Sequence, residues 1–151
     1  TDIARGTAHV MGFRLMENFR RPYHAKSNAE FWSRWHISLS GWCREYVYYP
    51  VSSFTRKPYL GILCSMMVLA FWHEISLNYL LWGILHALAI NIWYLYNNSD
   101  LQLFLKKYLP FPQVTGIFIT LHFVVFSFIL IKENNWQNII NSYKILFFGN
   151  V

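Results

Sequence analysis

The sequence predicts an all-α, polytopic membrane protein, and its composition and the spacing of its apolar segments carry that reading. Of its 151 residues, 55% are hydrophobic, 20% aromatic and only 13% charged, whereas a soluble domain of this length needs more polar residues to cover its outside. Apolar segments recur at 59–72, 77–96 and 114–131, separated by polar or proline-bearing connections. The formal charge of +6 is concentrated ahead of them, at Arg5, Arg14, Arg20, Arg21, Lys26, Arg34, Arg44, Arg56 and Lys57. Cations gathered beside apolar spans suit lipid headgroups and membrane topology, so the bilayer is the expected partner and nucleic acid is not. Cys43 and Cys64 have neither the spacing of a zinc site nor that of a redox pair.

Residues 1–28 mix charge with short apolar stretches, and Arg20-Arg21-Pro22-Tyr23 reads as an extended connection. The opening Thr1-Asp2-Ile3-Ala4-Arg5 has no initiator Met and no signal-peptide pattern, which predicts a chain that starts mid-protein. Ser27-Asn28-Ala29-Glu30 is a capping box: Ser27 is placed to accept from the Glu30 amide while the Glu30 carboxylate reaches back to the first amide. The spacing then predicts one helix over 29–48, with Trp32, Trp35, Leu39, Trp42 and Tyr46 in a single apolar stripe and Arg34, Ser38 and Glu45 off it. Such an aromatic stripe beside basic residues suits a membrane interface, and Pro50 is expected to close the segment.

The run from Tyr59 to Trp72 falls short of the roughly 20 residues a simple span requires, so it is expected to be buried in protein or re-entrant. Leu77 to Tyr96 is long enough to cross, and Val114 to Ile131 is the third apolar segment, carrying His122. Between them lie the polar Asn97-Asn98-Ser99-Asp100, then Lys106-Lys107 and a turn at Pro110-Phe111-Pro112. The positive-inside rule would put Arg56-Lys57 and Lys106-Lys107 on the cytoplasmic side and His73 to Asn78 opposite, with Lys132 and Lys144 pulling the other way.

Six histidines are candidates for chemistry. His9, His24 and His122 have no partner at suggestive spacing and read as packed or surface residues. His86 interrupts the second apolar segment, and an ionisable residue within a span is by default a functional one, since its charged form is costly in hydrocarbon. Gly83 and Ala87 beside it leave room for a substrate or another helix to approach, and a neutral imidazole there can take a proton from a hydroxyl. A metal or haem site is the competing reading, and the spacing argues against it. His73 and His86 stand about 20 Å apart on a continuous helix, and neither has a ligand-type residue at i+3 or i+4. Ser38 and Ser40 near His36 lack the glycines of a nucleophile elbow and an orienting acid.

Phe31-Trp32-Ser33-Arg34-Trp35-His36-Ile37-Ser38-Leu39-Ser40, followed by Trp42-Cys43-Arg44-Glu45-Tyr46-Val47-Tyr48-Tyr49-Pro50, closely resembles the signature of the membrane-bound O-acyltransferase family. The likeness extends upstream through Asp2-Ile3-Ala4-Arg5-Gly6, Met11-Gly12-Phe13-Arg14 and Glu17-Asn18-Phe19-Arg20-Arg21-Pro22-Tyr23, and downstream through Phe71-Trp72-His73 and Leu81-Trp82-Gly83-Ile84-Leu85-His86. It looks most like the bacterial branch of alginate O-acetyltransferases and the teichoic acid D-alanyl transfer protein. The resemblance implies a C-terminal portion of that fold, with an interfacial signature region at 1–58, apolar helices at 59–131 and a short amphipathic segment at 132–151, and further membrane helices N-terminal to it.

By the same resemblance His86 takes the catalytic position and His36 that of the family's second characteristic histidine. His73, Trp82, Trp35 and Arg34 are implied as candidates for lining the substrate tunnel. No bound cofactor or metal is implied. The co-substrate would be an acyl thioester, acetyl-CoA or an acyl carrier protein, and the acceptor a hydroxyl of an envelope polysaccharide. An extracytoplasmic acyltransferase partner and a multi-pass location in the inner membrane follow from the same likeness. Glu74 and Ala87 depart from the glycine usual after each histidine, and Val51-Ser52-Ser53 from Leu-Gly-Gly after the proline. The alternative is a truncated, non-catalytic membrane protein or scaffold in which His36 and His86 are merely packed.

Overall fold

The computed structural model describes residues 1–108, 111–133 and 135–149, with the backbone alone at 105 and 106. The predicted helical class is what it shows. In chain order come α1 (Asp2–Val10), a 3-10 turn (Pro22–His24), α2 (Asn28–Arg34), α3 (Ile37–Cys43), a π-helical stretch (Arg44–Tyr48), α4 (Tyr49–Thr55), α5 (Pro58–His73), α6 (Leu77–Asn97), α7 (Asp100–Tyr108), α8 (Pro112–Lys132) and α9 (Trp136–Phe148).

Helices α6 and α8 are each 21 residues and apolar enough to cross a membrane, while α5, at 16, is too short to do so simply. Only three residues, Glu74 to Ser76, link α5 to α6, so the two fold back on each other. Ser76 starts α6 by accepting from the Tyr79 amide. Gly83 sets the crossing: a Cβ there would stand 2.7 Å from Met67 Cε and 3.0 Å from both Ala70 Cβ and the Met66 carbonyl oxygen. The space beside His86 anticipated for a substrate or a helix is, at Gly83, taken by α5. One face of α6 (Trp82, Gly83, His86, Ala87, Ile90) and one of α8 (Thr120, Val124, Ser127, Leu130) are buried. Leu88, Ile92 and Leu95 on α6, and Phe118, Ile119 and Val125 on α8, are exposed apolar side chains of the kind lipid tails cover.

The single helix expected over 29–48 is broken. Helix α2 ends at Arg34, Trp35 is extended (φ −99°, ψ 127°) and His36 is left-handed (φ 46°, ψ 55°) before α3 begins. The cause is tertiary. Trp35 pairs antiparallel with Phe19, the Arg20 amide donates to the Arg34 carbonyl at 2.9 Å, and the Ile37 amide donates to the Asn18 carbonyl at 3.0 Å. The Asn18 side chain also accepts from the Ser38 amide at 2.9 Å, capping α3 from a distant segment. The apolar stripe is therefore divided, with Trp32 buried and Trp42 and Tyr46 exposed.

Pro50 does not close the segment either. It lies within a helix that runs unbroken from Ile37 to Thr55, just where the π-helical stretch gives way to α4. The π turn before it shifts the ladder, the Tyr49 amide bonding the Arg44 carbonyl five residues back. The capping box forms with one change: Ser27 accepts from the Glu30 amide at 3.1 Å, but the Glu30 carboxylate takes the Lys26 amide at 2.7 Å.

Between the two long helices, the polar connection becomes α7 from Asp100, whose carboxylate in the first turn favours a helix start. Phe111 is left-handed and opens α8, while Pro110 of the anticipated turn lies outside the described residues. Helix α9 is capped by Asn135 and docks on α8 through the Tyr143 hydroxyl, which donates to the Phe126 carbonyl at 2.8 Å.

Candidate active site

Three helices build the site around His86, which has no exposed surface. Helix α6 supplies His86 and, one turn earlier, Trp82. Helix α2 brings Trp32, whose indole N–H donates to His86 Nδ1 at 3.1 Å. Helix α8 brings Ser127, whose Oγ lies 2.9 Å from His86 Nε2 and donates its own proton to the Val124 carbonyl at 2.8 Å. The imidazole is walled by aromatic rings, with centroids at 4.7 Å (Trp82), 5.1 Å (Phe123) and 5.4 Å (Trp32). A polar ring inside an apolar core is tolerated because both nitrogens are engaged.

His36 and His73 are joined to this centre by contiguous rings. The His36 ring meets Trp72 at 6.1 Å, Trp72 meets His73 at 4.7 Å, and His73 meets Trp82 at 6.3 Å. The series runs from Trp72 and His73 at its outer end inward to buried Trp82 and His86. Partial burial, with a smaller contribution from nearby His36, holds His73 below its ordinary value, favouring a neutral ring. Two polar atoms along the series are buried with no hydrogen-bond partner among the described residues, the Trp82 indole N–H and His36 Nδ1. An orphaned buried donor costs free energy unless something bound supplies the acceptor.

The other two candidates stand apart from His86. Arg34 pairs with Glu30 one turn earlier and reaches the Arg21 carbonyl. Partial burial pulls the Glu30 carboxyl upward, but the Lys26 amide and the Arg34 guanidinium outweigh it and hold the group below the ordinary carboxylate value. Trp35 packs against Phe19 (4.8 Å), stacks on Phe31 (5.5 Å) and meets Phe128 (6.1 Å). Its role here is to anchor the break that sets His36. His122 is exposed, its Nδ1 within 2.8 Å of the Phe118 carbonyl.

Sequence reasoning missed Trp32 and Ser127 as site residues. Trp32 read as one member of an apolar stripe, and Ser127 went unremarked, although a lone hydroxyl between Phe126 and Phe128 in an apolar span was a usable signal. An open cleft of about 500 Å³ adjoins the site, lined among others by Trp32, Cys43, Arg44, Met66 and Tyr94. Burial pushes the Cys43 thiol up, so it is a poor nucleophile. Among the described residues no three His, Cys, Asp or Glu side chains converge as a metal site.

Known proteins match this chain along most of its length. The family model for MBOAT, the membrane-bound O-acyltransferase family, matches residues 3–131. A probable alginate O-acetylase AlgI of Pseudomonas fluorescens is 40% identical over 95 residues, covering 61% of this chain and 19% of that protein. A teichoic acid D-alanyltransferase of Bacillus subtilis is 32% identical over 143 residues, covering 85% of this chain and 35% of that protein. A peptidoglycan O-acetyltransferase of Helicobacter pylori is 27% identical over 146 residues, covering 95% of this chain and 27% of that protein. The chain thus spans between about a fifth and a third of the length of these relatives. With the family's match running through both the broken helix that sets His36 and the span that buries His86, this chain belongs to the membrane-bound O-acyltransferase family.

Proposed function

We propose that this chain is the histidine-bearing part of an O-acyltransferase that moves a short acyl group, acetyl, from a thioester donor to hydroxyls of a cell-envelope polysaccharide. The observation that carries the proposal is His86: a fully buried imidazole, oriented through both nitrogens, in an apolar helix long enough to span. In this reading His86 takes the proton of the acceptor hydroxyl as its oxygen attacks the thioester carbonyl carbon. The tetrahedral adduct collapses, the C–S bond breaks, and the thiolate leaves with the proton returned by the imidazolium. The unpartnered Trp82 indole N–H, against the His86 ring, is suited to hydrogen-bond the carbonyl oxygen as its negative charge develops. His36 and His73 stand at the outer end of the run of rings that leads to Trp82 and His86, where a ring nitrogen can hydrogen-bond a bound substrate.

The donor is acetyl-CoA or an acyl carrier protein, the location is the inner membrane with several passes, and an extracytoplasmic transferase is the natural recipient partner. Membership of the family supports this, as do the similar probable alginate O-acetylase and peptidoglycan O-acetyltransferase. The test is His86→Gln in the complete protein, assayed for acyl transfer from a labelled thioester. The amide keeps a polar group in the cavity but cannot serve as a base, so transfer should fall by about 10²–10⁴-fold while the protein still purifies folded. Transfer within tenfold of wild type, a factor below about 1.4 kcal/mol, would make His86 a packing residue.

A further inference from the structure

The two partners of His86 differ in kind. An indole nitrogen is only a donor, whereas a serine hydroxyl either donates or accepts. Since the Trp32 N–H points at Nδ1, that nitrogen presents its lone pair, and the neutral ring must carry its proton on Nε2. The Nε2–H then donates to Ser127 Oγ, and the Ser127 proton goes on to the Val124 carbonyl. All four groups are satisfied in this one arrangement. The opposite tautomer would set two N–H groups against each other across 3.1 Å.

We propose that Trp32 is a positioning residue that holds His86 as the Nε2–H tautomer, with Ser127 accepting from Nε2–H, so that Nδ1 is the nitrogen which takes the proton. Trp32 occupies Nδ1 at rest, and it also lines the open cleft between α2, α5 and α6. A hydroxyl that replaces the indole N–H at Nδ1 meets the lone pair already aimed at it. Its proton passes to Nδ1, its oxygen forms the new bond to the thioester carbonyl, and the thiolate departs, while Nε2–H stays on Ser127 throughout. This assignment rests on His86 being the base, but the tautomer itself does not.

The experiment is a nitrogen-resolved NMR measurement on the complete protein labelled with 15N-histidine, the His86 signal being identified by its loss in His86→Gln. Wild type should show Nε2 protonated and Nδ1 bare. Trp32→Phe should give a mixture of tautomers, because Ser127 can serve either nitrogen state, and Ser127→Ala should leave Nε2–H unchanged. In the transfer assay Trp32→Phe should lower kcat by the share of His86 that the spectrum shows in the wrong tautomer, about twofold for an equal mixture. A wild-type His86 protonated on Nδ1 overturns the proposal, and that measurement requires no variant to fold. So does a Trp32→Phe spectrum identical to wild type, or an unchanged kcat beside mixed tautomers. A correct tautomer in a protein whose His86→Gln variant still transfers would sink the catalytic reading alone.

Discussion

Replacing Gly83 by alanine should push α6 away from α5 where Gly83 meets Met66, Met67 and Ala70. The new Cβ would stand 2.7 Å from Met67 Cε, which can swing away, but 3.0 Å from the Met66 carbonyl oxygen and from Ala70 Cβ, which belong to the body of α5. Ordinary contact begins near 3.4 Å, so the helices must part by about 0.4 Å over a stretch that includes Trp82 and His86. Overpacking of this kind costs about 1–3 kcal/mol, and the backbone contact puts Gly83→Ala within that range rather than below it. The assay is thermal unfolding of the complete protein in one fixed detergent, followed by transfer activity at a temperature where both forms are folded. Melting should drop by several degrees, and activity should drop further than stability explains because Trp82 and His86 shift relative to Trp32. A Gly83→Ala protein with unchanged melting and unchanged transfer would refute the claim that this crossing holds the site.

Asn18→Ala removes the side-chain cap of α3 and should cost about 1 kcal/mol; it should also reduce transfer, since the same segment holds His36 in place, which parallel melting and activity measurements would register. Glu30→Gln should cost less than about 1 kcal/mol near neutrality, since its pair with Arg34 is partly exposed. Because the folded carboxyl lies below its ordinary value, its contribution is present above the unfolded value of 4.5 and is lost as pH falls through the folded one, so wild type and Glu30→Gln should converge in acid melts. Cys43, buried with its thiol pushed up, should react with a water-soluble maleimide far more slowly at neutral pH than half-buried Cys64, as mass spectrometry of the folded protein would show.

Much of this fold was legible in the residues because the bilayer makes strong demands on length and composition. The apolar segment read at 77–96 is α6 at Leu77–Asn97, and the one at 114–131 is α8 at Pro112–Lys132. Backbone groups in lipid have no partner except their own helix, so an apolar stretch of this length has one outcome. The Ser27 cap was legible for an equally local reason, since its partner amide lies three residues away.

The break at Trp35–His36 was not legible. Neither glycine nor proline marks it, and helical spacing continues through it. What ends α2 there is a bridge to Phe19 and a carbonyl of Asn18, contacts from a segment that carries no periodic signal. Sequence alone determined the helical membrane class, the two long apolar helices and the suspicion attached to a histidine within one of them. Only the tertiary structure decided which groups meet that histidine. Trp32 and Ser127 lie 54 and 41 residues away from His86, and hydrogen-bond partners at such separations depend on how helices pack, which a local pattern does not encode.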